Sequence, residues 1–301
     1  RPDFDLIEGF SWDDFRYPLL TSRGCPYECN FCSVPLISSK RFRARSPADC
    51  IDELTLVKRA KGISTFEILD DNLTLNMKRA KEFCRDLAKS RLNLSWYCHN
   101  GIRADRLDQE LADMMAQAGC RSIAFGIESG DQEVFRRVIK GEELEHIVRA
   151  IDMTKKAGMK TVGYFIIGLP GDNPAAVKTT IAFQRTLNLD HYVYGVFIPY
   201  PGTSGREDVL REGRIIRDIK ETNHFSDRLQ IAIEYPYFTR AQIEESYCLA
   251  TTGELAGLME REGLRGAPVK ILHVETDPAT YCYRRFISLL NGKVDVFVGL
   301  G

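Results

Sequence analysis

Residues 25–32 read Cys25-Pro-Tyr-Glu-Cys29-Asn-Phe-Cys32, which places three cysteines within eight residues. Iron–sulfur clusters are held by cysteine thiolates and normally take four of them, as in the C-x2-C-x2-C-x3-C run of ferredoxins. No fourth cysteine follows closely here, so the stretch predicts a cluster with one metal open to chemistry. A structural zinc site is the alternative, but such sites normally add a second Cys or His pair, which this sequence lacks.

The composition of the whole chain is that of an ordinary globular protein. It has 301 residues, 44% hydrophobic and 28% charged, with a formal net charge of −1, which does not predict a nucleic-acid scaffold. Apolar runs such as 164–169 and 193–199 are far shorter than the roughly 18 residues of a membrane span. Nine cysteines without regular pairing favour a reducing compartment, so we expect a cytoplasmic protein. Because the sequence begins at Arg1, we expect a cut or processed start.

Short β-rich runs alternate with helical patterns at a spacing of about 30 residues, which is typical of repeated βα units and a parallel sheet. The predicted strands are Tyr17–Ser22, Ser64–Asp70, Leu94–His99, Ser122–Ile127, Thr161–Gly168 and Tyr192–Pro199. The predicted helices are Pro47–Ala60, Asn76–Ser90, Asp108–Ala118, Glu143–Ala157 and Asn173–Leu187. Six such units predict an α/β fold, a partial (β/α)6 TIM-like barrel.

The pattern changes after Gly205, which suggests three regions. Residues 1–16 are expected to be an N-terminal linker, residues 17–205 the partial barrel, and residues 206–301 a mostly helical C-terminal cap. Within the cap, we expect helices at 207–220 and 242–262 and a strand at 229–235.

Polar residues follow the predicted strands, where the loops of a parallel barrel converge on one rim. These strand ends are Asp70-Asp71-Asn72, Cys98-His99-Asn100, Gly126-Ile127-Glu128-Ser129-Gly130, Gly168-Leu169-Pro170-Gly171-Asp172 and Pro199-Tyr200-Pro201-Gly202-Thr203. The cysteine stretch follows the first strand and belongs to the same rim. Gly126 and Gly130 would let the backbone approach a ligand, while the Glu128 carboxylate accepts hydrogen bonds from ammonium or ribose groups.

The chain resembles the radical S-adenosylmethionine superfamily through the C-x3-C-x-aromatic-C pattern of Cys25, Cys29, Phe31 and Cys32. The strand ends described above are similar to the branch whose members often carry an N-terminal cobalamin-binding domain. The resemblance covers roughly residues 15–205. It implies a [4Fe-4S] cluster on the three cysteines and S-adenosylmethionine chelated to the fourth iron. Reductive cleavage would then give a 5′-deoxyadenosyl radical, which functionalises an unactivated carbon of a small or lipid-like metabolite.

The resemblance also implies roles for individual residues. Phe31 would place its backbone beside the adenine, and Gly163 and Ile166 would pack on the adenine ring. Glu128 and Ser129, next to Gly126, would contact the ribose or the methionine head. The catalytic candidates are Asp70 and Asp71, which could reach the cofactor or the substrate, together with Cys98 at a strand end and Cys282 from the cap.

The branch's cobalamin domain is not visible in this chain, because only 24 residues precede Cys25. Methyl transfer through cobalamin therefore depends on a domain upstream of Arg1. An RNA-modifying methylthiotransferase and a metal-stabilised binding protein are the alternative functions. The expected partners are a small-molecule or lipid-like substrate and a low-potential electron donor of the flavodoxin or ferredoxin type.

Two further features have simpler explanations. The remaining cysteines, and His99 and His191 beside predicted strands, are more economically structural residues of the barrel. The basic run 40–45, Lys-Arg-Phe-Arg-Ala-Arg, has the charge and aromatic spacing of an RNA-binding segment, but nucleic acid is not the predicted partner. Positive charge directly after the cysteine stretch equally suits an anionic substrate or an electron donor.

Overall fold

The computed structural model of the chain describes residues 16–217, 230–261, 269–276, 283–289 and 295–298, with side chains for 16–217 and 230–251. The strands are β1 (Tyr17–Leu19), β2 (Ser22–Arg23), β3 (Arg43–Ala44), β4 (Thr65–Ile68), β5 (Ser95–Ile102), β6 (Cys120–Glu128), β7 (Lys160–Ile167), β8 (His191–Val196), β9 (Arg214–Ile215), β10 (Ile233–Glu234), β11 (Val269–Thr276), β12 (Tyr283–Leu289) and β13 (Asp295–Val298). The helices are α1 (Val34–Ile37), α2 (Pro47–Lys61), α3 (Met77–Ser90), α4 (Gln109–Gln117), α5 (Gln132–Arg137), α6 (Leu144–Lys156), α7 (Pro174–Thr186), α8 (Ser204–Glu212) and α9 (Arg240–Arg261). Short 3-10 turns occur at Leu73–Leu75 and Ala104–Arg106.

Six of the described strands form one parallel sheet in the order β1-β4-β5-β6-β7-β8, which is also their order along the chain. Each strand therefore lies beside its predecessor in this sheet, and α2, α3, α4, α6 and α7 occur in the connections between them. This is the predicted α/β class, and the partial barrel is confirmed. All six carboxyl ends point to the same rim.

The helix boundaries follow from local chemistry that the sequence shows. Ser46 is extended and accepts a hydrogen bond from the Asp49 amide at 3.2 Å, while Pro47 fills the first turn of α2. Gly62 ends that helix at φ 71°, in the left-handed region that glycine adopts most easily. The predicted bounds of α2 are therefore off by a single residue.

The core between sheet and helices is built on aromatic contacts. The Phe66 and Trp96 rings stack at 5.8 Å on neighbouring strands, and Phe83 of α3 meets Trp96 edge-on at 6.2 Å. The buried indole of Trp96 donates to the Ala118 carbonyl at 3.0 Å, so its one polar atom is satisfied. These contacts fix α3 and α4 against the sheet.

The first predicted strand, Tyr17–Ser22, is divided in the structure. β1 ends at Leu19, and β2 pairs with β3 as an antiparallel ribbon instead of joining the main sheet. The cause is Asp70, whose carboxylate accepts hydrogen bonds from the Thr21 amide at 2.6 Å and from the Thr21 and Ser22 hydroxyls at 2.5 Å. These contacts turn the chain out of the sheet before the cysteine stretch.

The region beyond residue 205 also differs from prediction. The helix expected to reach residue 220 ends at Glu212, because Gly213 has an extended backbone (φ −155°, ψ −143°). Glycine is required there, since a Cβ would approach the Glu234 carbonyl oxygen to 2.3 Å. β9 and β10 pair there as a short antiparallel ribbon. Helix α9 is confirmed, but β11, β12 and β13 form an antiparallel sheet that was not predicted.

Among the described residues, none of the helices combines the length and apolar character needed to cross a membrane.

A buried carboxyl group shapes the turn between β7 and α7. Asp172 is 2% exposed and accepts hydrogen bonds from the Gly168 amide at 2.8 Å and the Asn173 amide at 2.9 Å. Burial raises the pKa of Asp172 to about 7, although the two amides oppose the rise. The folded protein therefore holds this proton at a pH where the unfolded chain releases it.

We expect this group to make the protein less stable as pH rises from about 4 to 7, by at most about 1.4 kcal/mol per pH unit. Asp172→Asn removes the titration, so the melting temperature of the variant minus that of the wild type should rise between pH 5 and 7. It should level off above pH 7. A difference that stays constant across this range would contradict the assignment.

Candidate functional site

The cysteine stretch forms a loop between β2 and α1 on the carboxyl rim. Its three cysteines are free thiols and half-buried. Backbone contacts set its shape: the Cys25 amide donates to the Ser39 carbonyl at 3.2 Å and the Cys32 amide to the Cys29 carbonyl at 3.0 Å. Gly24 enters the loop at φ 89°, and a Cβ there would lie 2.2 Å from the Arg41 carbonyl oxygen. Only glycine fits that position.

The acidic end of β4 holds this loop in place. Asp70 is 1% exposed and bonds Thr21 and Ser22, whereas Asp71 accepts a hydrogen bond from the Gly24 amide at 2.7 Å. Asn72 follows, with its side-chain nitrogen 4.0 Å from the Cys25 sulfur. The structure thus gives all three side chains contacts that support the loop. A catalytic role for Asp70 or Asp71 stays a prediction.

The electrostatic setting of the thiols fits a metal cluster. Burial raises the pKa of Cys29 to about 12 and also raises that of Cys32. Lys140 and Arg103 lower the pKa of Cys29 in opposition to burial. A thiolate at this place needs a bound cation, which the irons of a cluster supply. In the described part of the chain, no three His, Cys, Asp or Glu side chains converge on a single-ion site; cluster ligands instead bind separate irons.

A buried network of charged residues lies beside Cys29. Lys140 bridges two carboxylates, with its Nζ 3.3 Å from Glu128 Oε1 and 3.1 Å from Glu142 Oε2, and it also donates to the Gly126 carbonyl. All three side chains are at least nine-tenths buried. Burial raises the pKa of Glu128, and Lys140 opposes the rise. Burial alone would lower the pKa of Lys140, but the two carboxylates outweigh it. The network keeps negative charge on the rim.

Arg103 joins this network to the cysteine loop. It is 6% exposed and donates to the Lys140 carbonyl at 2.6 Å and to Asp105 at 2.9 Å. Its guanidinium lies 3.5 Å from the centre of the Tyr27 ring, a cation–π contact with the middle of the loop. The Tyr27 hydroxyl accepts a further hydrogen bond from Arg106 at 3.1 Å. Tyr27 thus connects the middle of the cysteine loop to the buried charges.

Asn30 ties the same loop to two other elements. Its amide donates to the Val138 carbonyl at 2.9 Å and its side chain to the Arg137 carbonyl at 2.9 Å. Its own carbonyl accepts from the Gly205 amide at 2.8 Å, at the beginning of α8. The loop is thus fixed from the end of α5 and the beginning of α8 as well as from the end of β4.

The end of β6 aims Glu128 by an uncommon backbone conformation. Glu128 has φ 65°, a left-handed value that costs a non-glycine residue energy. Gly126 makes the arrangement possible, because a Cβ there would lie 2.3 Å from Glu128 Oε1. Ser129, next along the chain, lies 3.1 Å from the Thr180 hydroxyl of α7 and is 2% exposed. Glu128 and Gly126 lie by the loop as predicted, while Ser129 packs toward α7.

The residues expected to pack on the adenine are separated by the pleat of β7. Ile166 is half-buried, whereas a side chain at Gly163 would meet Leu189, Ile127 and Phe165 in the core. Odd and even positions of a strand point to opposite faces, so Gly163 and Ile166 do not share a face. Phe31 is partly buried against the core. Contact with adenine stays a prediction for all three.

The two cysteines proposed as catalytic have different outcomes. Cys98 is 1% exposed within the hydrophobic core, and burial strongly raises the pKa of its thiol. That position gives it a packing role and does not support the prediction that it faces the rim. Cys282 lies outside the described residues, and so do residues 1–15 of the predicted linker.

Sequence reasoning missed the residues that surround the loop: Tyr27, Asn30, Arg103, Lys140 and Glu142. The sequence held a signal for Lys140, which lies only 12 residues after Glu128. The short helix α5 lies between the two residues. Arg103 and Glu142 are distant from the cysteines in sequence and look like ordinary surface charges. Their burial depends on tertiary packing.

Comparison with known proteins agrees with this geometry. Residues 19–183 match the Radical SAM superfamily. Over 205 residues the chain is 34% identical to an uncharacterised methyltransferase of Pyrococcus horikoshii, covering 67% of the chain and 44% of the relative. It is 39% identical over 202 residues to the cytidylyl-2-hydroxyethylphosphonate methyltransferase of Streptomyces wedmorensis, covering 65% of the chain and 38% of the relative. The chain thus spans about two fifths of the length of these curated relatives.

A similar fold occurs in the solved structure of the radical S-adenosylmethionine methyltransferase TsrM from Kitasatospora setae, with cobalamin and a [4Fe-4S] cluster bound. The TM-score is 0.60 at 21% identity, and the match covers 66% of this chain and 40% of TsrM. At that identity the likeness is one of fold.

The hydrogen bond that the Gly24 amide donates to Asp71 generates a testable prediction. Asp71→Ala removes a charged acceptor from the loop, a loss of roughly 1.5–3 kcal/mol of local stabilisation. We expect the variant to retain less iron and sulfide per chain than the wild type after anaerobic reconstitution. Asp52→Ala, on the exposed face of α2, is the matched control and should load normally. Equal iron contents in both variants would refute the supporting role.

A second prediction concerns the buried cation. Lys140→Met leaves Glu128 and Glu142 buried without their shared partner, which should cost about 3–5 kcal/mol of unfolding free energy. Lys156→Met breaks an exposed pair with Asp152 and should cost less than about 1 kcal/mol. Urea unfolding of the two variants measures both values. If the two variants lose similar amounts of unfolding free energy, Lys140 does not neutralise the buried carboxylates of Glu128 and Glu142.

Proposed function

Because the chain belongs to the radical S-adenosylmethionine superfamily, we propose that it generates a carbon radical in order to methylate an unactivated carbon of a small or lipid-like metabolite. Membership makes it an enzyme that depends on a [4Fe-4S] cluster and on S-adenosylmethionine. Methyl transfer is the reaction named for the two sequence relatives described above. The chain spans less than half of each, so substrate and overall reaction belong to the proposal.

The observation that carries the proposal is the cysteine loop on the carboxyl rim of the parallel sheet. Three free thiols of one short loop lie half-buried there, beside a buried carboxylate–ammonium network. An electron-carrier cluster would gain nothing from the polar rim around it, whereas a reacting cofactor needs groups that orient it.

Cys25, Cys29 and Cys32 would hold the cluster and leave one iron for S-adenosylmethionine. When bound, the cluster would supply the electron for reductive cleavage of that cofactor. The protein's own task is to keep the three thiolates together and exclude water from them. The contacts of Asp71 and Asn30 with the loop keep the thiolates together. The packing of Phe31 against the core contributes to the exclusion of water.

Glu128 is the residue we assign to cofactor orientation. Its carboxylate accepts hydrogen bonds from the methionine amino group or the ribose hydroxyls, and Lys140 holds it in place from the other side. Gly126 leaves space for this carboxylate. Phe31, Ser129, Gly163 and Ile166 remain proposed contacts of the cofactor: Phe31 through its backbone beside the adenine, and Gly163 and Ile166 by packing on the adenine ring.

Cobalamin as the methyl carrier is a further part of the proposal. It is supported by the fold shared with the cobalamin-bound TsrM structure. A low-potential electron donor and a small organic substrate are the partners that this chemistry requires.

Cleavage of the cofactor tests the proposal directly. We expect the full-length enzyme, reconstituted with iron and sulfide and reduced with dithionite, to convert S-adenosylmethionine to 5′-deoxyadenosine. Cys29→Ala should abolish both the cluster absorbance and the product, while Cys248→Ala, an exposed cysteine on α9, should leave both intact. An intact cluster without 5′-deoxyadenosine would contradict the proposal.

A further inference from the structure

A surface next to the cysteine loop combines exposed apolar and basic side chains. Leu36 and Ile37 of α1 are adjacent large aliphatic side chains, and they are 58% and 80% exposed. The exposed basic residues nearby in the chain or in the paired strand are Arg23, Lys40, Arg41 and Arg43: Arg43 donates to the Ser38 carbonyl just after α1, and Arg23 is its partner in the ribbon of β2 and β3. We call these six residues the α1 face. Scattered apolar side chains need no explanation, but an apolar pair beside a basic cluster is the composition of an interaction surface.

The charge of the α1 face contrasts with that of the chain. Between Glu28 and Asp49 there are four basic residues and no acidic one, although the whole chain has a net charge of −1. Lys40 pairs with Glu28, and Arg43 donates to the Ser38 carbonyl at 2.8 Å, so both are held in place. The positive potential is therefore local and fixed to the loop that carries it.

Short backbone connections link this face to the cysteines. The Cys25 amide donates to the Ser39 carbonyl at 3.2 Å, and Ser39 is held at φ 71° to present it. Ser33, which precedes α1, directly follows Cys32. The face is thus joined through short backbone connections to two of the three cysteines, Cys25 and Cys32.

We propose that the α1 face is the docking site of an acidic electron-transfer protein of the flavodoxin type. The inference rests on the proposed function, which requires one electron for each cleavage of S-adenosylmethionine. In the docked complex the reduced flavin is oxidised by one electron, and the cluster is reduced by the same electron. A donor bound to this face lies next to Cys25 and Cys32, which are ligands of the cluster. The acidic surface of the donor pairs with the arginines of the face.

The apolar pair favours a protein over RNA as the occupant. Single-stranded nucleic acids bind through aromatic side chains on which bases stack, together with basic residues. The basic run contains one aromatic residue, Phe42, and it is half-buried, whereas the exposed centre of the face is aliphatic. An aliphatic centre with a charged rim is typical of transient protein complexes.

The test uses the full-length enzyme with its cluster and reduced flavodoxin as the probe. The variant Arg23→Glu/Arg41→Glu reverses two charges, and the variant Ile37→Ser removes the most exposed apolar side chain of the face. Arg59→Glu/Lys178→Glu is the matched control, since it makes the same charge change on exposed positions of α2 and α7. Two quantities are measured: the Kd for flavodoxin and the rate at which flavodoxin reduces the cluster.

We expect the double reversal to weaken flavodoxin binding and slow cluster reduction by roughly tenfold or more at low salt. Ile37→Ser should weaken binding with little change in salt dependence, and the control should behave like the wild type. Dithionite, which needs no docking, should reduce every variant at the same rate. That result would also show that each variant is folded and carries its cluster.

Three different outcomes would contradict the docking site, the proposed function and the identity of the docked partner. Unchanged flavodoxin binding in both face variants, with normal dithionite reduction, would refute the docking site and leave the proposed function standing. Failure of dithionite to produce 5′-deoxyadenosine in the wild type would instead refute the proposed function. A third outcome is that the double reversal abolishes binding of transfer RNA but leaves the reduction of the cluster by flavodoxin unaffected. In that case RNA, and not the electron donor, is the occupant of the face.

Discussion

Negative groups that lie close together in a half-buried site repel one another unless positive charge lies among them. The carboxyl rim of the sheet meets this constraint with two buried cations. The thiol of Cys29 and the carboxylates of Glu128 and Glu142 all lie near one ammonium group, that of Lys140. Arg103 adds a second cation and reaches the loop through Tyr27. A metal cluster would complete this balance, because its irons stabilise thiolates that burial otherwise keeps protonated.

The scaffold serves the same site by fixing the loop from several sides. Asp71 holds its beginning, Asn30 holds its middle to α5 and α8, and Ser39 holds Cys25. A loop fixed in this way loses little entropy when it takes up a cluster, because its conformation is already set. The parallel sheet contributes by bringing these contacts to one rim from segments as distant as residues 24 and 205. Rigidity of the loop therefore comes from tertiary contacts.

The sequence predicted the elements well where local chemistry decides them. The cap Ser46-Pro47, the glycine at 62 and the alternation of strands and helices placed most boundaries within a few residues, and the cysteine spacing led to the family. It could not show what long-range contacts decide. The hydrogen bonds of Asp70 with Thr21 and Ser22 are visible only in the fold, and a catalytic role for Asp70 stays a prediction. Cys98 also stands at the end of a predicted strand, but it packs in the core. Arg103 and Glu142 look like surface charges in the sequence, because burial is not visible in a local pattern.

The central claim is that three cysteines leave one iron of the cluster free for S-adenosylmethionine. Mössbauer spectroscopy of the full-length enzyme reconstituted with 57Fe, with and without S-adenosylmethionine, tests it most directly because the method distinguishes individual irons. We expect the cofactor to change the signal of about one iron in four, as for a cluster with a single site open to ligands. A spectrum that is unchanged by the cofactor, or one without a [4Fe-4S] signal, would contradict the claim.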